Sequence, residues 1–171
     1  MLDFVPMSKR GFTLIELLVM FAIIGLVATF AAVAVNSARM KQRDATRLAQ
    51  VRQLQSALED FFNENNMYPP ADRLPLGDAA VSSCLSMGGF KGDCSGDSTI
   101  FLRVLSGTIP SGLENKVVCG TPARNAFCYS SSEDGKAYAL EFELENGVKP
   151  AGLVEGVNCA LPDGMEAGAC K

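Results

Sequence analysis

The stretch from Phe12 to Val35 runs for 24 residues with one charge in it, Glu16. As a helix it is about 36 Å long, enough to cross the hydrocarbon core of a bilayer. A carboxylate in such a segment is costly, on the order of 2.5–3.5 kcal/mol at the bilayer centre. Glu16 therefore needs a partner. Lys9-Arg10-Gly11 precedes the apolar run as a short positive leader. A cut after Gly11 would give Phe12 a new α-amino group, four residues from Glu16.

Two plainer readings compete. A cleavable secretory signal fits the basic start and the small-x-small form of Ala32-Val33-Ala34. It does not fit the length of the apolar run or the charge inside it. A simple membrane anchor explains the length and leaves Glu16 and the Gly11-Phe12 junction unexplained.

The run Lys9-Arg10-Gly11-Phe12-Thr13-Leu14-Ile15-Glu16-Leu17-Leu18-Val19 resembles the class III signal of type IV pilins and of type II secretion pseudopilins. The likeness covers the first third of the chain and is only architectural beyond about Tyr68. It implies cleavage between Gly11 and Phe12 by a prepilin peptidase, which also methylates Phe12. It places the family's assembly glutamate at Glu16. It also implies partners: other copies or related pilins in a helical filament, the peptidase/methyltransferase, an assembly platform with its ATPase, and membrane lipid before assembly. The implied location is the inner membrane as a single-pass precursor, then a cell-surface or periplasmic filament. The pseudopilin and a membrane-anchored binding protein are the alternative functions. In the family a proline commonly follows the N-terminal residue by 21 positions; here that position is Val33. Gly25 then carries the main helix penalty in the stem, about 1 kcal/mol relative to alanine, and is the expected point of helix flexibility.

Hydrophobic periodicity extends the helix past the apolar run. Leu48, Val51, Leu54, Leu58, Phe61 and Phe62 recur at three- and four-residue spacing, and Arg43, Arg47, Gln50, Gln53, Ser56 and Asp60 lie opposite. Asn63 to Asn66 weakens the pattern, and Pro69-Pro70 stops it. The expected organisation is a leader at 1–11, a membrane and filament-core helix at 12–35, its amphipathic continuation at 36–68, and an extracytoplasmic head at 69–171. Met7 offers a second start within the leader. The expected class is α+β: a long N-terminal helix, membrane-spanning in its first half, packed by its second half on a small antiparallel sheet with disulfide-braced loops.

Charge divides along the chain. Residues 1–55 hold seven Lys/Arg and three Asp/Glu; residues 56–171 hold eight and sixteen. An acidic head offers no bulk surface for neutralising nucleic-acid phosphates. Arg39, Lys41, Arg43, Arg47 and Arg52 read as a solvated basic face or a contact with anionic headgroups. Their position runs against the positive-inside rule if the head is outside. The head is placed outside because the resemblance and the cysteines both require it.

Six cysteines, Cys84, Cys94, Cys119, Cys128, Cys159 and Cys170, lie in the head. An even count behind an export signal reads as disulfides. Fifteen pairings exist; the simplest joins sequence neighbours, because short loops close at low entropic cost. Structural-zinc spacing is missing, with no C-x-x-C and no histidine. Without histidine, Ser-His-Asp and Cys-His catalysis is excluded, so the chain is read as a non-enzyme without cofactor. The acids Asp163 and Glu166, or Glu141, Glu143 and Glu145, raise calcium, which some pseudopilins bind, but no EF-hand spacing supports it. They read as a solvated acidic surface. Gly88-Gly89 lacks phosphate-loop spacing and reads as loop.

In the head, residues 69–96 read as loop and 99–105 as a short helix. Residues 117–119 and 127–130 read as strands. Tyr138 to Glu145 alternates cleanly and is the strongest strand, with turns at Glu133-Asp134-Gly135 and Asn146-Gly147. Residues 148–154 read as a further strand, and the tail from Glu155 as a glycine-rich loop.

Overall fold

The computed structural model describes residues 11–103, 119 and 127–171. They divide into two compact units, one ending at Arg39 and one running from Met40 to Lys171. A single helix, α1 (Leu14–Asn65, 52 residues), supplies the first unit and continues into the second.

In the first unit the helix is apolar on all sides and exposed on all sides. Its most apolar 18-residue window has a mean hydropathy of 2.7 with none of it buried. An unburied apolar helix of this length has lipid or other stems as its natural surroundings.

In the second unit the helix is amphipathic, as its periodicity predicts. Val51, Leu54, Ala57, Leu58 and Phe61 are buried. Arg52, Gln53, Ser56 and Asp60 face solvent. The helix ends where the backbone turns left-handed at Asn66 (φ 56°), an asparagine in the place where αL caps occur. The Asn65 side chain donates to the Phe61 carbonyl (2.9 Å), and the Lys136 ammonium donates to the Asn66 carbonyl (2.6 Å). Carbonyls at the helix end are thus satisfied by one side chain of the last turn and one from the β5–β6 turn.

The buried helix face packs on two antiparallel sheets. The larger contains β1 (Leu74–Pro75), β5 (Cys128–Ser131), β6 (Tyr138–Leu144), β7 (Gly156–Leu161) and β8 (Gly164–Ala167), in that spatial order. The smaller contains β2 (Cys84–Ser86), β3 (Gly89–Lys91) and β4 (Ile100–Arg103), with β2 central. Leu140, Phe142 and Leu144 of β6, Tyr129 of β5, Leu85 of β2 and Leu102 of β4 join the helix residues in one core. The α+β expectation, with the helix packed on antiparallel sheets, is therefore what the chain adopts.

Several local expectations change. Ile100–Arg103 is a strand and not a helix. Its three-residue apolar run, Ile100 to Leu102, suits either state; pairing Leu102 with Leu85 and stacking Phe101 edge-on against Phe61 (5.6 Å) select the strand. The segment read as loop at 69–96 contains β1, β2 and β3, each two or three residues long. Residues 148–154 form no strand. Lys149–Ala151 is one 3₁₀ turn closed by a lone bridge between Val148 and Leu153, with Pro150 just inside its start. Asn146-Gly147 turns the chain, with Gly147 at φ 69°, but it does not make a tight hairpin. β6 and β7 pair across residues 145–155 instead. The tail holds two strands, β7 and β8, joined by the two-residue turn Pro162-Asp163. Of the expected strand at 117–119, residues 117 and 118 lie outside the described residues.

The chain's three tyrosines sit together in this core. The Tyr68 and Tyr138 rings are 4.8 Å apart and edge-on; Tyr129 and Tyr138 are 6.2 Å apart and stacked. All are at most 4% exposed. Burial pushes the Tyr138 phenol up to about 12 and raises Tyr68 and Tyr129 as well. In the unfolded chain these phenols ionise near 10. A folded-state value above the unfolded one gives stability that is complete below about pH 10 and lost as pH rises through the folded value. Tyrosinate absorbance of the detergent-solubilised chain will therefore show no independent step near pH 10. It will rise in one cooperative step above that, together with loss of circular dichroism. Three separate ionisations near pH 10 with structure intact would contradict this core. The chain has no tryptophan, so the signal is clean.

Candidate assembly site

Gly11, Phe12 and Thr13 precede the helix, and Phe12 is 78% exposed. The helix starts at Leu14 because Thr13 caps it. The Thr13 hydroxyl oxygen accepts the Glu16 N–H (3.3 Å). The Glu16 carboxylate reaches back and accepts from the Thr13 N–H and the Thr13 O–H, both at 2.8 Å. This is a capping box, two orphan donors satisfied reciprocally. Both short bonds fall on one carboxylate oxygen, Oε2. Oε1 makes no hydrogen bond among the described residues. Phe12, Ile15, Glu16, Val19 and Met20 line one open, mostly apolar groove on the helix surface.

Thr13 is the capping partner that the motif match alone does not single out. Its signal was present as Thr13-x-x-Glu16 before an apolar run. Gly25 lies in unbroken helix, with nothing within 4 Å of where a side chain would begin. That open face admits either close packing by another helix or local flexibility.

A second cluster joins helix and sheet in the head. Arg43 grips Glu145 at the end of β6 with two hydrogen bonds, 2.7 and 2.6 Å. Asp44, 2% exposed, accepts the backbone N–H groups of Glu145 (2.7 Å) and Asn146 (2.8 Å). Arg47, 4% exposed, lies 3.9 Å from Asp44 and 3.6 Å from Glu145 and donates to the Glu143 carbonyl (3.4 Å). The Arg43 bond holds the Glu145 carboxyl below the usual carboxylate range; burial lowers the Arg47 guanidinium. Arg43 and Arg47 are thus ion-paired and not a solvated basic face. Glu143 and Glu145 are likewise not a solvated acidic surface. Glu143 is buried, and the Glu145 side chain is 4% exposed. Glu141 accepts the Cys170 N–H (3.2 Å). Among the described residues, no group of three or more His, Cys, Asp and Glu side chains is placed to hold a metal ion.

The cysteines pair as Cys84–Cys94, Cys119–Cys128 and Cys159–Cys170. The first spans the β2–β3 hairpin, and the last ties the tail to β7.

An exposed apolar helix led by a capped glutamate, bearing a disulfide-braced antiparallel head, has the architecture of a membrane-anchored filament subunit. The family described as the prokaryotic N-terminal methylation motif matches residues 6–32. The chain is also similar to fimbrial protein EcpC of Eikenella corrodens, 26% identical over 147 residues that cover 83% of this chain and 94% of the relative. No solved structure matches the chain significantly. The motif and the fimbrial relative together support the type IV pilin family for this chain, and with it a structural subunit of a pilus-like filament. They fit a membrane-anchored precursor and a surface filament of pilin copies.

Proposed function

We propose that this chain is a type IV pilin, made as an inner-membrane precursor, cut between Gly11 and Phe12, N-methylated at Phe12, and built into a surface filament by an ATPase-driven assembly platform. The observation that carries the reading is the exposed apolar stretch 12–35, with Glu16 as its one charge, which starts directly after Gly11 and is helical from Leu14. In this role Glu16 receives the cationic Phe12 amine of a neighbouring subunit, its free Oε1 being the accepting atom. In a dry core an unpaired member of such a pair costs several kcal/mol, which selects subunits that dock in register. The leader 1–11 leaves, residues 12–35 form the filament core, and the head from residue 69 stays on the outside with its disulfides.

A pseudopilin shares every step up to the final location. The fimbrial relative favours the pilin. Mechanical shearing of intact cells that express the chain will release it in filaments. Filaments confined to the envelope and absent from the sheared fraction would assign it to a secretion apparatus instead.

A further inference from the structure

Charge in the soluble part of α1 is polarised along its axis. Arg39 and Lys41 follow the apolar stretch after three residues, and both are exposed. Asp60 and Glu64 stand in the last turns, also exposed, with no basic residue in the final turn. Lys41 and Glu64 are about 35 Å apart along the helix. The acidic end is extended by the sheet. Gln55 donates to the Leu161 carbonyl (2.9 Å), which seats the β7–β8 turn and its exposed Asp163 beside the helix. Glu59 bonds the Tyr68 hydroxyl (2.8 Å), and the charges of Glu59 and Asp163 both reach the Tyr68 ring.

This arrangement works against the isolated chain. Asp60 and Glu64 are like charges one turn apart, and acids at a helix C-terminus oppose its dipole. Neither has an ion pair among the described residues, and neither do Arg39 and Lys41. From residue 56 onward the chain carries sixteen acids against eight cations. Heads of that charge repel when packed side by side, unless a cationic surface lies between them.

We propose that the acidic end of one copy (Asp60, Glu64 and Asp163) docks on the basic collar (Arg39 and Lys41) of another copy. Lys41 and Glu64, about 35 Å apart on one helix, cannot satisfy each other within a chain. They meet only when copies are displaced along the helix axis. Such a contact is heterologous, head to tail, and generates an open filament instead of a closed dimer. The proposal rests on the filament reading above and adds which surfaces meet. It also gives the collar, on the outer side of the span, a use that lipid headgroups do not require.

Charge reversal in the full-length chain tests it. Arg39→Glu with Lys41→Glu, and separately Asp60→Lys with Glu64→Lys, will each lower sheared filament at least about tenfold, and the four changes together will restore it to within about threefold. The membrane pool of processed subunit stays unchanged throughout. The neutral pair Asp60→Asn with Glu64→Asn guards against misfolding and will lower filament in the same direction. Failure of the combined variant to restore filament overturns the docking. So does normal filament from the acid variants while the collar variants lose retention on anionic membranes, which would assign the collar to lipid. Loss of filament on chelation that the acid variants no longer show would assign the acidic end to a divalent cation and also overturn it. If the unaltered chain yields no filament, the filament reading itself has failed.

Discussion

Replacing Asp44 with alanine will destabilise the head by about 3–5 kcal/mol, the range for breaking a buried ion pair by removing one partner. Two effects combine. The N–H groups of Glu145 and Asn146 lose their acceptor, at roughly 1–3 kcal/mol for the half-buried Glu145 group and less for that of exposed Asn146. Arg47 stays buried with the 3.6 Å contact to Glu145, the Glu143 charge and the Glu143 carbonyl left to offset its own charge. Thermal unfolding of the detergent-solubilised full-length chain will shift down by about 10–20 °C. A shift of only a few degrees would show that the cluster is ornamental. The same cluster sets an acid limit. The Glu145 carboxyl is held below its unfolded value by Arg43, so its contribution is complete above about pH 4.3 and lost as pH falls through the folded value. Glu145→Gln will remove that acid-dependent part of the melting curve.

Replacing Glu16 with alanine will reduce filament yield by two orders of magnitude or more while leaving cleavage at Gly11-Phe12 nearly intact, on the order of the several kcal/mol that an unpaired amine costs in a dry core. The alanine also removes half of the capping box, at about 1 kcal/mol of helix stability. The two losses separate by a second variant. Thr13→Val keeps the Glu16 carboxylate and deletes its hydroxyl donor, so it tests the cap alone. If Glu16 acts mainly as a cap, both variants will lower filament to the same extent. If it receives a neighbour's amine, Glu16→Ala will be far the worse. Normal filament from Glu16→Ala would argue against any assembly role.

The parts of this fold legible in the sequence are those with long-range periodicity or simple arithmetic. A 24-residue apolar run and the three- and four-residue spacing beyond it, ended by Asn66 and two prolines, define α1 because no turn interrupts them. β6 is legible because alternation over Tyr138 to Leu144 matches one buried face. The cysteine pairs are the nearest-neighbour set, the simplest of the fifteen that the sequence leaves open. Strands of two to four residues, β1 to β4, carry no periodicity to read, and their pairing partners make them strands. β7 is masked differently: Asn158 is fully buried in it, and its side chain bonds the Val154 N–H and the Val154 and Gly156 carbonyls. A polar residue at a core position breaks the expected alternation. The ion cluster is hidden in the sequence for a related reason. Arg43 and Glu145 are 102 residues apart, and nothing local to Arg43 distinguishes a cation that will be paired from one that will be solvated. Thr13 differs from these, since its capping-box signal is local and complete.

The account's central claim is that the apolar helix, freed at Phe12, is the stem of a filament subunit. Mass analysis of the N-terminal peptide from sheared filament material tests it most directly. The predicted peptide begins at Phe12 and carries one methyl group on its amine. A peptide that begins at Val35, or one that retains residues 1–11, would contradict it.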